Sequence, residues 1–174
     1  MKHSLLQVKS TSKFQVFEIL TLKEAAIRLL TTENLLLQAE LTFFYEEAWK
    51  SGKINVISTP HHSPDDKDNV PAQPSRGYPP SDTLPKTAKN AILSAIHGIA
   101  HAESYAMQLF WDCIARYTSW SLPRAFYEDM VNIAGQEAKH FLSWYRRLEE
   151  LGCPYGSLWT HEGLWQAAER TFHR

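Results

Sequence analysis

The sequence predicts an all-α protein, a helical bundle interrupted by one proline-rich connecting segment. Three observations carry this. Apolar residues recur at helical spacing over two long stretches on either side of Thr118 to Leu122. Capping and stop residues bracket those stretches. Seven of the nine prolines are gathered between residues 58 and 85, leaving the rest of the chain nearly free of helix breakers.

Residues 1–20 read as an N-terminal leader in which Phe14, Val16 and Phe17 suit a short strand or a loose segment. Residues 21–57 hold the N-terminal helices. Lys23 to Leu30 suits a short helix. Thr32 can cap a second, which runs to about Lys50 with Leu37, Leu41, Phe44 and Ala48 on one face. Ser51-Gly52 ends it. Residues 58–85 form a linker that wraps the bundle, since so long a plain loop is unusual. Its His61-His62 pair reads as solvated.

Residues 86–174 form a helical hairpin and the start of a further helix. The third helix begins near Pro85 or Thr87 and runs to about Tyr117. Ser121 can cap the fourth, with Pro123 in its first turn, and Gly152 stops it after Leu151. Such a helix spans roughly 40 Å at its rise per residue, the proportion of a bundle helix. His161 or Glu162 starts a last helical segment.

The 174 residues carry a formal net charge of −1 with acids and bases mixed. That balance offers no long-range attraction for nucleic acid or an anionic membrane. No apolar run approaches membrane-spanning length, and residues 1–20 lack the pattern of a signal peptide. The two cysteines, Cys113 and Cys153, form no paired motif. A soluble, cytoplasmic protein in a reducing compartment is the reading that follows.

The chemistry is announced by charges placed among apolar residues. In the third helix Ile92, Ile96, Ile99, Met107, Phe110 and Ile114 share a stripe, and Glu103 sits within it. In the fourth, Phe126, Met130, Ile133, Phe141, Trp144 and Leu148 share a stripe with Glu137 at its middle. His140 lies one turn beyond Glu137. An unpaired carboxylate in an apolar interior costs several kcal/mol, so a partner is required. Two readings fit. A metal ion takes Glu103, Glu137 and His140 as ligands, the Glu-x-x-His step placing two of them on one helical face. Alternatively Glu103 pairs with His140, or a carboxylate is answered by an arginine such as Arg116.

His97 and His101 lie on a neighbouring stripe with Leu93 and Ser104. They can orient the ligands from behind, although His97 reads better as a satisfied core or surface residue. Tyr105 belongs to a dense set of aromatics that includes Trp111, Tyr117, Trp120, Tyr127, Trp144 and Tyr145. Such side chains line oxidising metal sites and also fill wide spaces between helices. The zinc-protease motif is absent, because no glutamate follows His97 directly. No glycine-rich phosphate loop or nucleophile motif appears.

These residues resemble a ferritin-like family known as domain of unknown function 455. The stretch Ala95-Ile96-His97-Gly98-Ile99-Ala100-His101-Ala102-Glu103 is similar to its His-x-Glu helix, and Gln136-Glu137-Ala138-Lys139-His140-Phe141 to its Glu-Ala-x-His-Phe helix. Arg147-Leu148-x3-Gly152-x2-Tyr155-Gly156 and His161-x-Gly163-Leu164-Trp165-x2-Ala168-x2-Thr171 follow in order. The resemblance covers roughly residues 20–174.

It implies a ferritin-like bundle with a two-metal site whose first ligands are Glu103, Glu137 and His140, a site more than a reaction. The expectation set on that site is a metal-binding protein, in its complete form a dioxygen-using oxidoreductase with iron or manganese and an unknown small-molecule substrate. Family members continue into two further core helices bearing a second Glu and a second acidic–histidine motif, whereas this chain stops at Arg174. The N-terminal helices offer Glu40, Glu46 and Glu47 but no Glu-x-x-His. The expectation is therefore a truncated bundle carrying half of a metal site. Its open apolar face should be covered in part by residues 22–50, with self-association into a homo-oligomer or marginal stability as the consequence. The rival expectation is a non-catalytic helical interaction protein lacking a complete site.

Overall fold

The computed structural model describes residues 21–58, 88–118, 120–158, 160 and 162–171. The leader at 1–20 and the linker with His61-His62 lie outside the described residues, as does His161. Five helices and no strand are found among the described residues: α1 Leu22–Leu30, α2 Leu35–Lys50, α3 Ala88–Tyr117, α4 Arg124–Glu150 and α5 Gly163–Glu169.

Local chemistry fixes the helix ends. Thr21 and Glu24 form a reciprocal cap at the start of α1, each side chain accepting from the other's backbone N–H. The segment after α2 returns to the same end. There the Leu22 and Lys23 N–H groups donate to the carbonyls of Val56 and Ile57 at 2.9 and 3.0 Å. Those donors lie in the first turn, where a helix has no partners of its own.

Helix α2 is capped by Asn34, not by Thr32, whose hydroxyl instead donates back to the Arg28 carbonyl. Asn34 wins because its side-chain oxygen reaches the Leu37 N–H at 3.0 Å. Helix α4 opens at Arg124 with Pro123 at the cap position and no side-chain cap. The expected Ser121 cap fails because Ser121 lies outside the helix at a positive φ of 49°. At the other end Gly152, at φ 69°, turns the chain. The Cys153 N–H closes onto the Leu148 carbonyl and the Gly152 N–H onto that of Glu149, both at 3.0 Å.

Helices α3 and α4 pack along their lengths as an antiparallel hairpin. Helix α1 packs on α3, α2 on α4, and α1 on α2, while α5 touches α3. The four long or N-terminal helices thus form a ring in the order α1, α3, α4, α2. Helices α2 and α3 face one another across it and are bridged by long side chains. Gln108 Nε2 donates to Gln38 Oε1 at 2.6 Å, and Trp111 Nε1 donates to Thr42 Oγ1 at 3.0 Å. The Tyr45 ring meets Trp111 edge-on. All five are buried.

The buried lines of the hairpin differ from the expected stripes. In α3 the core line is Leu93, His97, Ala100, His101, Ser104, Met107, Gln108, Trp111, Asp112 and Ala115. In α4 it is Tyr127, Val131, Ala134, Ala138, Phe141 and Leu148. Of the expected α3 stripe, Met107 and Ile114 are buried, but Ile92 is 59% and Ile99 41% exposed. Phe126, Met130, Ile133 and Trp144 are only half-buried. The correction has a packing cause. Ala134, Gly135 and Ala138 are the small buried positions of α4, with Glu46 of α2 set against Gly135. Buried polar residues of α3 find partners on α2 and in the turn after α4: Gln108 with Gln38, Trp111 with Thr42, His97 with Gly156 and His101 with Tyr155. The buried arc therefore centres on small and paired polar positions, one stripe away from the isoleucines.

Candidate metal centre

Glu103, Glu137 and His140 come together at mid-height of the hairpin. Each offers a ligand atom, and these atoms all lie within 4.8 Å of one another. His140 Nδ1 is 3.1 Å from Glu137 Oε2 and 3.6 Å from Glu103 Oε2. The register explains the meeting. Ile96 and Trp144, at equal steps from Glu103 and Glu137 toward one end, pack on the small core around Leu148. Phe110 and Met130, at equal steps toward the other end, pack on the main core. The cluster sits between the two cores.

The trio lies at the edge of the buried arc. The two glutamate side chains are 22% and 20% exposed, and His140 is 54% exposed. Glu103 is pushed up to about 7, first by burial, then by its hydrogen bond to Glu137 and by that carboxylate's charge. His140 pulls in the opposite direction. Two carboxylates this close do not both ionise readily without a proton or a cation between them. Arg116 does not answer either of them. Its Nε donates to Asp112 Oδ2 at 2.7 Å on its own helix.

The N-terminal glutamates take no part. Glu40 and Glu47 are exposed. Glu46 pairs with Lys50 at 2.6 Å and lies against Gly135, where a Cβ would stand 2.6 Å from its carboxyl carbon. Gly135 is thus the position that lets α2 come down on α4.

The histidines of the neighbouring line are in the core, away from solvent. His97 Nε2 accepts the Gly156 N–H at 2.8 Å, its ring stacks on Tyr155, and burial lowers its pKa. His101 Nδ1 lies 2.9 Å from the Tyr155 hydroxyl, which is also 3.3 Å from Ser104 Oγ. Tyr105 tilts against the His101 ring and meets Trp165 of α5 edge-on. This network ties the turn after α4 to α3, two residues from Glu103. Its organiser, Tyr155, carried no local signal because it lies in a turn. Asp112 was likewise missed. It is buried, raised chiefly by that burial, and its helical spacing from Gln108 was the available clue.

A helical hairpin that holds two carboxylates and an imidazole at its middle, backed by two N-terminal helices, defines an all-α protein with a candidate metal centre. The chain belongs to the family described as "Protein of unknown function (DUF455)", whose model matches residues 31–174. It is 31% identical over 117 residues to an uncharacterized protein of Haemophilus influenzae, a match covering 62% of this chain and 40% of that protein. The chain therefore spans well under half the length of this relative. No solved structure matches it. Among the described residues no helix is long and apolar enough to cross a membrane.

Proposed function

We propose that the chain binds iron or manganese through Glu103, Glu137 and His140, as half of a ferritin-like di-metal oxidoreductase centre. The observation that carries this reading is the meeting of three ligand atoms within 4.8 Å, two of them from carboxylates, with Glu103 raised to about 7 by burial and then by Glu137. The donor set fits. Two oxygen ligands and one neutral imidazole suit a divalent first-row ion, and the positive ion removes the repulsion between the carboxylates.

Glu137 and His140 would hold the ion from one face of α4, and Glu103 would hold it from α3. A bound iron or manganese would supply one-electron and dioxygen chemistry. The chain's own contribution is to fix the ligands. The antiparallel register sets Glu103 level with Glu137, and the Tyr155–His101–Ser104 network braces the adjacent turn of α3. The half-exposed His140 leaves the ion reachable from solvent.

Elemental analysis of the purified protein tests the reading, with Glu137→Gln beside it. Iron or manganese at a fixed ratio to chain, lost in the variant while helicity is kept, supports it. Equal trace metal in both proteins refutes it. A second reading, a metal-independent interaction protein, is favoured by the exposed Ile92 and Ile99 and predicts that second result.

A further inference from the structure

We infer that the turn joining α4 to α5 is held on α3 by an acid-sensitive latch, in which a proton taken up by His97 releases the Gly156 N–H and opens the turn while the helices stay folded. The inference does not depend on the metal reading. His97 lies on the buried line of α3 and is 1% exposed. Its Nε2 accepts the Gly156 N–H at 2.8 Å. An accepting ring nitrogen carries no proton, so the neutral imidazole keeps its hydrogen on Nδ1. That Nδ1 is buried and has no hydrogen-bond partner among the described residues. A second proton can add only at Nε2, where it meets the Gly156 N–H head-on. The imidazolium would then hold two buried donors with no acceptor for either, which is costly.

No charged side chain pairs with the ring among the described residues. The titratable groups packed about it are His101 on α3, Tyr155 and Cys153 in the turn, and Tyr145 on α4, which meets the Tyr155 ring. None of them is a carboxylate. Helix α5 reaches α3 through Trp165 against Tyr105, and its Glu169 is held on the Trp165 indole. Burial is accordingly what lowers the His97 pKa. The conflict is relieved on the turn side. His97 is fixed within a 30-residue helix. The turn instead carries two left-handed positions, Gly152 at φ 69° and Gly156 at φ 91°. Glycine moves between the two halves of φ space at little steric cost, so the hinge falls there. The Tyr155 hydroxyl is tied separately to His101 Nδ1 at 2.9 Å, so the opening begins at Gly156.

The test uses the isotope-labelled full chain in chelator, followed by NMR from pH 7.5 to pH 5. Imidazole nitrogen shifts report which ring nitrogen of His97 is protonated. Amide exchange, divided by the unstructured rate at each pH, reports protection. At pH 7.5 His97 should be the Nδ1–H tautomer, with the Gly156 amide protected. Below the pH at which His97 takes up its proton, Gly156 protection should fall about tenfold per pH unit. The Ala134 and Ala138 amides in the middle of α4 should keep theirs, as local opening requires. His97→Gln offers an oxygen in place of Nε2 and does not titrate, so its Gly156 protection should not change with pH. Four results overturn the latch. These are a His97 ring that stays neutral to pH 5, Gly156 protection unchanged while His97 titrates, Gly156 protection lost only together with that of Ala134 and Ala138, and a pH dependence that survives in His97→Gln.

Discussion

The Glu103 and Glu137 carboxyl groups face one another across the α3–α4 hairpin, and His140 Nδ1 lies 3.6 Å from the first and 3.1 Å from the second. Burial, and after it the neighbouring Glu137 carboxylate, push Glu103 up to about 7, so near neutral pH its carboxyl takes up a proton or a cation. That single relationship links the register of two helices to the chemistry of the site.

In the absence of metal the pair makes stability depend on pH. Glu103 is raised from an ordinary 4.5 to about 7. The folded chain keeps a proton there that the unfolded chain releases. The stabilisation is full below about pH 4.5 and is lost as pH rises through about 7. Glu103→Gln removes this dependence, since an amide does not titrate. Thermal melts in chelator from pH 5 to 8 should show a falling Tm for the natural chain and a flatter profile for the variant. Parallel profiles would show that Glu103 is not raised in the folded chain.

The buried amide pair between α2 and α3 should behave as a unit. Gln38 and Gln108 are both fully buried and joined at 2.6 Å. Replacing Gln108 by Leu takes the donor from Gln38 Oε1, and replacing Gln38 takes the acceptor from Gln108 Nε2, each at a cost of about 1–3 kcal/mol. Replacing both removes the two ends of that one bond together. A double-mutant cycle by urea denaturation should therefore give a double variant less destabilised than the sum of the singles. Strict additivity would mean that the bridge is not energetically formed.

His97 should contribute to stability above its ordinary titration range. Burial lowers its pKa from 6.5, so the folded chain resists the proton that the unfolded chain accepts. The stability it contributes is present above about pH 6.5 and is lost as pH falls below it. His97→Phe keeps a ring to stack on Tyr155 but leaves the Gly156 N–H without its acceptor, costing about 1–3 kcal/mol. Denaturation at pH 7.5 measures that cost. The acid-side loss from this residue should vanish in the variant.

The helices were legible in the sequence because their signals are local. Gly152, Ser51-Gly52 and the 3.6-residue periodicity act within a few residues of one another. The rotation of the hairpin was not legible. Ile92 and Ile99 looked like core and lie exposed, while Gln108 and Asp112, which drew no attention as polar residues, lie buried on the same line as His97. Which arc is buried depends on partners distant in sequence: Gln38 for Gln108 and Gly156 for His97. Hydrophobicity alone cannot reveal those pairings. Glu103, Glu137 and His140 were nonetheless singled out, since their spacing survives a rotation of both helices toward the same side. Tyr155 stands in the motif that carries the family resemblance, but its partnership with His97 and His101 was not legible, because a turn residue has no periodicity to betray what it faces.

Metal affinity should rise with pH where the apo stability falls. An ion and a proton compete for the Glu103 carboxyl, so binding improves as that proton leaves near pH 7. Titrating Mn(II) by calorimetry at pH 6 and pH 8 measures this, and proton release on binding should be largest below pH 7. His140→Ala removes the only nitrogen donor of the cluster. It should weaken binding at least about tenfold, the loss that even a residue supporting a ligand carries. Because His140 is half-exposed, the fold should survive, and circular dichroism checks that it does. Glu103→Gln should weaken binding and also reduce the gain between pH 6 and pH 8, since the proton competing at that carboxyl is gone. Affinity independent of pH in the natural chain, or unchanged in both variants, would place the ion elsewhere. The carboxylate pair would then be a site that only shares a proton.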